Sequence, residues 1–248
     1  MWNTFYMTVA IDIGNSLVKI GIFDKGKIHE TKKFNMSKFE DAISLILNDF
    51  PQIRLGIISS VGNLDDDSLA SLKSKINLLI LNSSTKLPFK NNYKTPNTLG
   101  VDRVALVAAA VNKFPDRNVL IIDAGTCITY DFVDRDSIYH GGAISPGVRL
   151  RYQSLHNYTA KLPLLENEVP VNIIGGNTEE SIHSGVVLGV VMEIDAAIDN
   201  YTKQFSDLTV ILTGGDCNFL SNQLKNSIFA NSNFLLEGLN HILEYNTH

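Results

Sequence analysis

Hydrophobic positions in this 248-residue chain gather into short runs of strand length, punctuated by Gly, Asn and Asp. Residues 7–13 (MTVAIDI) and 17–23 (LVKIGIF) read as two strands joined by a tight turn, and 27–34 as a third. Asp24-Lys25-Gly26-Lys27 between the last two has the composition of a hairpin turn. The period then changes from two to about 3.6. Ser37 followed by Glu40 resembles a capping box opening a helix to about Leu47. A strand at 53–60, a helix at 66–75 and a short strand at 77–81 follow. The polar stretch 82–98, with Pro88 and Pro96, predicts a long irregular loop, and 100–112 a helix with Val104, Leu106, Val107 and Val111 on its apolar face.

The pattern breaks at Phe114-Pro115-Asp116 and begins again. Strands are expected at 118–123, 127–133 and 137–143, a long helix capped by Asn177-Thr178-Glu179-Glu180 and reaching about Tyr201, and a buried strand at 208–212. A C-terminal helix is expected at about 233–245. The phrase VAIDIGNSLVKIGIFD (9–24) and the phrase LIIDAGTCITYDFVD (120–134) share one plan: an apolar run, an aspartate, a glycine two residues on, a hydroxyl residue and a returning strand. Such a repeat predicts a duplicated α/β fold, with lobes at 1–115 and 116–248 and the two hairpin tips facing a cleft.

Composition narrows the class. With 44% hydrophobic and 19% charged residues the chain has ample core material. A net charge of −5 disfavours a general nucleic-acid or acidic-membrane binder. Cys127 and Cys217 lack metal-type spacing, as do His140, His156 and His183. No basic, apolar leader opens the chain, and the most apolar helical stretch, 185–192, is too short to span a bilayer. The expectation is a reduced, cytoplasmic protein without membrane or nucleic-acid partners.

Chemistry concentrates in a few segments. Asp12-Ile13-Gly14-Asn15-Ser16 puts a carboxylate, bare backbone and small donors in one turn, a set suited to nucleotide phosphates and their metal ion. A plain Asx-type turn has the same composition, and the second copy favours the functional reading. Neither GxxxxGK[ST] nor GxGxxG occurs, so a P-loop or Rossmann site is disfavoured. Asp102 and Arg103 open a helix, where a carboxylate can meet an attacking hydroxyl and a cation can meet a phosphoryl group. Helix capping by Asp102 and a surface ion pair for Arg103 are the alternatives. Thr213-Gly214-Gly215-Asp216, after a buried strand, is a secondary candidate for the same phosphates. Ser184, Gly185 and Gly189 form a face that another backbone could approach.

The ordered series DIGN (12–15), GVDR (100–103), DAGT (123–126), GGAISPG (141–147), TAKLP (159–163), GGNTEESIHSG (175–185) and TGGD (213–216) resembles type III pantothenate kinases. These belong to the acetate kinase, sugar kinase, Hsp70 and actin superfamily. Ser16 stands where the family usually has Thr and keeps the hydroxyl. The resemblance implies two RNase H-like lobes with mixed sheets flanked by helices, and transfer of the ATP γ-phosphoryl group to pantothenate. It implies that Asp102 is the proton acceptor and that Tyr93, Gly100, Val101, Asp102, Arg103 and Thr178 bind pantothenate. It assigns ATP contacts to Asp12, Ile13, Gly14, Asn15, Ser16, Leu17, Val18 and Lys19 and to Thr126, and gives Asp123 a monovalent cation, potassium or ammonium. A divalent cation, Mg2+, and a homodimer are expected as well. The rival readings are a superfamily kinase acting on a sugar or carboxylate, and a catalytically silent ATP-binding relative.

Overall fold

The computed structural model describes residues 7–14, 17–59 and 64–247. The chain divides into two compact units, one formed by residues 1–115 with 233–248 and the other by 116–232. In the first, β1 (Met7–Ile13), β2 (Val18–Asp24) and β3 (Lys27–Phe34) form an antiparallel meander. The turn joining β2 to β3 has φ of 50° at Lys25 and 74° at Gly26, the pair of positive values that a primed hairpin turn needs. After α1 (Phe39–Asp49), β4 (Ile53–Ile58) lies parallel to β1; after α2 (Asp66–Lys75), β5 (Asn77–Ile80) lies parallel to β4. The sheet order is β3-β2-β1-β4-β5.

Alternation along β1 divides its side chains between two layers. Met7, Val9, Ile11 and Ile13 pack with Phe39, Ile43 and Ile46 of α1 and Leu72 of α2. The loop after β5 contains a two-residue strand, β6 (Lys90–Asn91), and leads to α3 (Val101–Lys113). On the other layer lies α8 (Phe234–Thr247), whose Asn240 accepts a 2.5 Å hydrogen bond from the Thr8 hydroxyl. This last helix also pairs Glu237 with Lys113 of α3 at 2.6 Å. Chain order alone puts residues 233–248 with the second lobe; the helix instead completes the core of the first unit, where Leu236, Leu239, Ile242 and Leu243 are buried.

The second unit repeats the plan. The strands β7 (Asn118–Ala124), β8 (Cys127–Val133) and β9 (Ile138–Pro146) form the meander; β10 (Leu208–Thr213) lies parallel to β7, and β11 (Phe229–Ala230) parallel to β10. Among this unit's own strands the order β9-β8-β7-β10-β11 matches that of the first sheet position for position. One face, with Leu120, Ile122, Ile128, Tyr130 and Leu212, packs against α4 (Val148–Asn157) and the long helix. That helix is α5 (Thr178–His183), a π turn at Ser184–Leu188, and α6 (Gly189–Gln204) in continuous succession; the short α7 (Cys217–Ser221) follows β10. The whole 178–204 helix is long and apolar enough by composition to cross a membrane, more than the 185–192 stretch alone implied. Half of its most apolar window is buried within the protein.

Two local expectations differ from what forms. Ser37 and Glu40 make no capping box: a 3-10 turn at Met36–Lys38 precedes α1, its N-cap is Lys38, and Glu40 accepts instead from the Ser68 hydroxyl at 2.8 Å. The strand expected at 137–143 runs on through the GGAISPG segment, paired with β8 as far as Pro146. Gly142 is needed there because a Cβ would stand 1.5 Å from the Tyr130 carbonyl oxygen. At Gly185 and Gly189 the face stays open among the described residues, since a Cβ at either would meet nothing within 4 Å.

Candidate functional site

In the first unit, the end of β1 and the start of α3 carry the candidate residues. Asp12 stands on β1 directly opposite Lys19 of β2. Its Oδ1 accepts a 2.8 Å hydrogen bond from the hydroxyl of Ser59, just past the end of β4. The turn beyond is closed by a bond from the Gly14 N–H to the Leu17 carbonyl, 3.1 Å long. Ile13 and Val18 are buried anchors of the hairpin, whereas Gly14 and Leu17 are exposed at its tip. Asn15 and Ser16 lie outside the described residues. Burial pushes the Asp12 carboxyl above its ordinary value; the Ser59 hydrogen bond and the Lys19 charge pull it down, and the negative charge of Asp102 pushes it up further. Asp12 and Asp102 therefore lie within electrostatic reach of each other.

Asp102 occupies the first turn of α3 and is exposed, while Arg103 beside it is buried. The Asp102 Oδ1 accepts the N–H of Arg103 at 2.9 Å, so the carboxylate folds back over the helix entrance. Gly100, the N-cap, makes room for it, since a Cβ there would come within 2.3 Å of that oxygen. The Arg103 guanidinium carbon lies 5.5 Å from the centre of the Tyr93 ring, within cation–π range. Tyr93 is held in the loop by its N–H bond to Asn91 Oδ1, 2.9 Å long. Tyr93, Gly100, Val101, Asp102 and Arg103 thus form one cluster, and its Asp102 charge reaches Asp12.

In the second unit, Asp123 near the end of β7 pairs across the sheet with Thr129 of β8 and, in parallel, with Thr213 of β10. Gly214 follows at φ 96°, and a Cβ on it would stand 2.4 Å from Asp123 Oδ1 and 2.3 Å from the Ala124 carbonyl. Only glycine satisfies both the torsion and the close approach. The turn after β7 is fixed by Gly125 N–H to Cys127 O and by Gly147 N–H to Thr126 O, each 3.0 Å. Thr126 is exposed on this turn. Asp216, whose carboxyl is pushed up by burial, ties TGGD to the same place through its N–H to Ala124 O at 2.9 Å.

Thr178 sits elsewhere in the second unit, at the first turn of α5. Its helix entrance is capped by Asn177, which accepts from the Glu180 N–H and donates to the Glu180 carboxylate, each at 2.9 Å. Thr178 lines a groove of about 840 Å³ with Gly176, Ser181, Leu155, Leu162 and Arg151. The histidines are engaged structurally: His140 with Asp134, His156 with the Leu162 carbonyl and His183 with the Tyr152 hydroxyl. Among the described residues no cluster of three or more His, Cys, Asp or Glu could hold a metal ion.

Two contributors escaped the sequence reading, Ser59 and the close approach of Gly214. Each aspartate ends an apolar run, and so do Ser59 and Thr213 on the neighbouring strands; that shared position was the signal available.

The comparisons with known proteins bear on the same segments. The family model for type III pantothenate kinase matches residues 8–200. A type III pantothenate kinase of Christiangramia forsetii is 52% identical, over 97% of this chain and 99% of that protein. One from Flavobacterium psychrophilum is 48% identical over 96% and 99%. A ROK family glucokinase from Streptomyces griseus, solved with glucose and AMPPNP, superposes over 97% of this chain and 99% of its own at a TM-score of 0.52. At 12% identity that likeness is one of fold. The chain belongs to the type III pantothenate kinase family.

Proposed function

We propose that this kinase transfers the γ-phosphoryl group of ATP to the primary hydroxyl of pantothenate, with Asp102 as the proton acceptor. The observation that carries the residue assignment is the cluster at the start of α3. A carboxylate exposed at a helix N-terminus stands beside a buried guanidinium, and a second carboxylate, Asp12, lies within electrostatic reach. The substrate hydroxyl oxygen attacks the γ-phosphorus as the bond from that phosphorus to the bridging oxygen breaks. The hydroxyl proton passes to Asp102, and ADP carries away the electron pair. Such reactions are accelerated mainly by positioning and charge stabilisation, the work assigned here to Arg103 and to the 12–19 hairpin.

Tyr93, Gly100, Val101, Arg103 and Thr178 are assigned to pantothenate, and residues 12–19 with Thr126 to ATP. Asp12, partly withdrawn from water and within electrostatic reach of a second carboxylate, has the chemistry of a divalent-cation ligand, which supports Mg2+ there. Asp123, laid over bare Gly214 backbone and in register with Thr129 and Thr213, offers carboxylate oxygens suited to potassium or ammonium. Such ions neutralise phosphate charge when bound.

A homodimer is supported by the apolar residues left exposed in the second unit, Val171, Ile173 and Ile174, and by the open face at Gly185 and Gly189. Its mass in solution checks this. The family's metabolic role supports a cytoplasmic location. A coupled ADP-release assay with pantothenate, run in turn with potassium, sodium and ammonium, tests the proposed reaction. Turnover on a hexose with none on pantothenate defeats it.

A further inference from the structure

We propose that Ser59 is a positioning residue for nucleotide binding, acting through the carboxylate of Asp12. This rests on the reading of Asp12 as an ATP-side ligand. Ser59 follows β4, one residue beyond the last parallel pair, Ile11 with Ile58, and its N–H continues the ladder to the Ile11 carbonyl at 3.0 Å. The backbone bond fixes where the side chain starts. From there the hydroxyl donates to Asp12 Oδ1 at 2.8 Å. Ser59 is 2% exposed, so water cannot easily take over the bond if the hydroxyl is removed.

Asp12 needs such a tether. It is partly desolvated, and the like charge of Asp102 works against it. An untethered carboxylate turns about its terminal torsion, which is broad and roughly two-fold for aspartate. With Oδ1 bound to Ser59, the plane of the carboxylate is set before a ligand arrives. That is preorganisation, and it lowers the cost of binding.

The duplicated sheet supplies a second, independent observation. In the second unit the residue that the parallel register places beside Asp123 is Thr213, which is also 2% exposed. Both hairpin aspartates therefore have a buried hydroxyl residue beside them on the next parallel strand. The repeat extends beyond the Asp-x-Gly phrase to the strand that supports it.

The test is titration calorimetry of the full chain with Mg2+ and AMPPNP, without pantothenate, for wild type, Ser59→Ala, Asp12→Asn and the double variant. A lost hydrogen bond to a charged group predicts about tenfold weaker binding in Ser59→Ala, with an unchanged KM for pantothenate. The double variant is expected to bind no more weakly than Asp12→Asn, because neighbours acting through one group are not additive. Normal binding in Ser59→Ala beside weakened binding in Asp12→Asn overturns the Ser59 proposal alone. So does an equal effect of Ser59→Ala in both backgrounds. Normal binding in Asp12→Asn overturns the Asp12 assignment, and the Ser59 proposal with it. Should Ser59→Ala fold poorly, Ser59→Cys, of similar volume and a weaker donor, gives the same comparison.

Discussion

Replacing Gly238 by alanine tests how the helix that carries Asp102 is seated. Gly238 lies in the middle of α8, and a Cβ there would stand 1.8 Å from the Ala105 carbonyl oxygen, 2.7 Å from its carbon and 3.1 Å from the Ala109 nitrogen of α3. An unstrained carbon–oxygen contact is about 3.3 Å, so the helices must separate by about 1.5 Å. Alanine also favours a helix over glycine by about 1 kcal/mol, which acts in the opposite direction. Overpacking a filled core typically costs about 1–3 kcal/mol, and here the obstacle is rigid backbone that cannot turn aside. The clash wins, and a net loss of about 2 kcal/mol is expected, a fall of about 4–8 °C in melting temperature for a chain of this size. The assay is thermal unfolding followed by circular dichroism, with kcat measured alongside, because displacing α3 moves Asp102 and Arg103. A Gly238→Ala protein that melts at or above wild type refutes the packing of α8 on α3.

Three further predictions concern the site itself. Asp102→Asn should lower kcat by about a hundredfold or more while nucleotide binding stays near normal, since general-base assistance is felt in the transition state; near-normal turnover would remove Asp102 from that role. Gly214→Ala, at φ 96° and 2.4 Å from Asp123 Oδ1, should abolish the difference between potassium and sodium in the activity assay, and an unaltered ion response would separate Asp123 from the cation. Because burial raises the Asp12 carboxyl in the folded state, its proton is held more tightly there than in the unfolded chain. Its ionisation therefore costs stability as pH rises through the raised value. Ligand-free Asp12→Asn should accordingly melt above wild type at pH 7, with the gap closing as pH falls toward the ordinary carboxyl value of 3.8; a gap that widens on acidification contradicts the burial of Asp12.

Much of this architecture was legible because alternation and turn chemistry are local. The 7–13 strand, the Asp24–Lys27 hairpin and the 127–133 strand follow from periodicity and from residues that accept positive φ. The repeated Asp-x-Gly phrase revealed the duplication, and both sheets carry it at corresponding edges of the meander. Long-range choices were not legible. Nothing local tells α8 to return to the first unit, where Thr8 meets Asn240 across 232 positions of sequence. The Ser37 and Glu40 pair had the right spacing, yet a 3-10 turn shifted the helix start and gave Glu40 a different partner. Within the site, the grouping of Tyr93, Asp102 and Arg103 was expected, whereas the contacts of Ser59 with Asp12 and of Gly214 with Asp123 exist only once parallel strands are in register.

The most direct measurement is the product itself. Purified protein is incubated with ATP, Mg2+, potassium and pantothenate, and the phosphorylated species is identified by mass spectrometry and 31P NMR. The account predicts 4'-phosphopantothenate formed in equal amount to ADP, and its near-complete loss in Asp102→Asn. ADP release without a phosphorylated pantothenate, or phosphorylation of a hexose in its place, would contradict it.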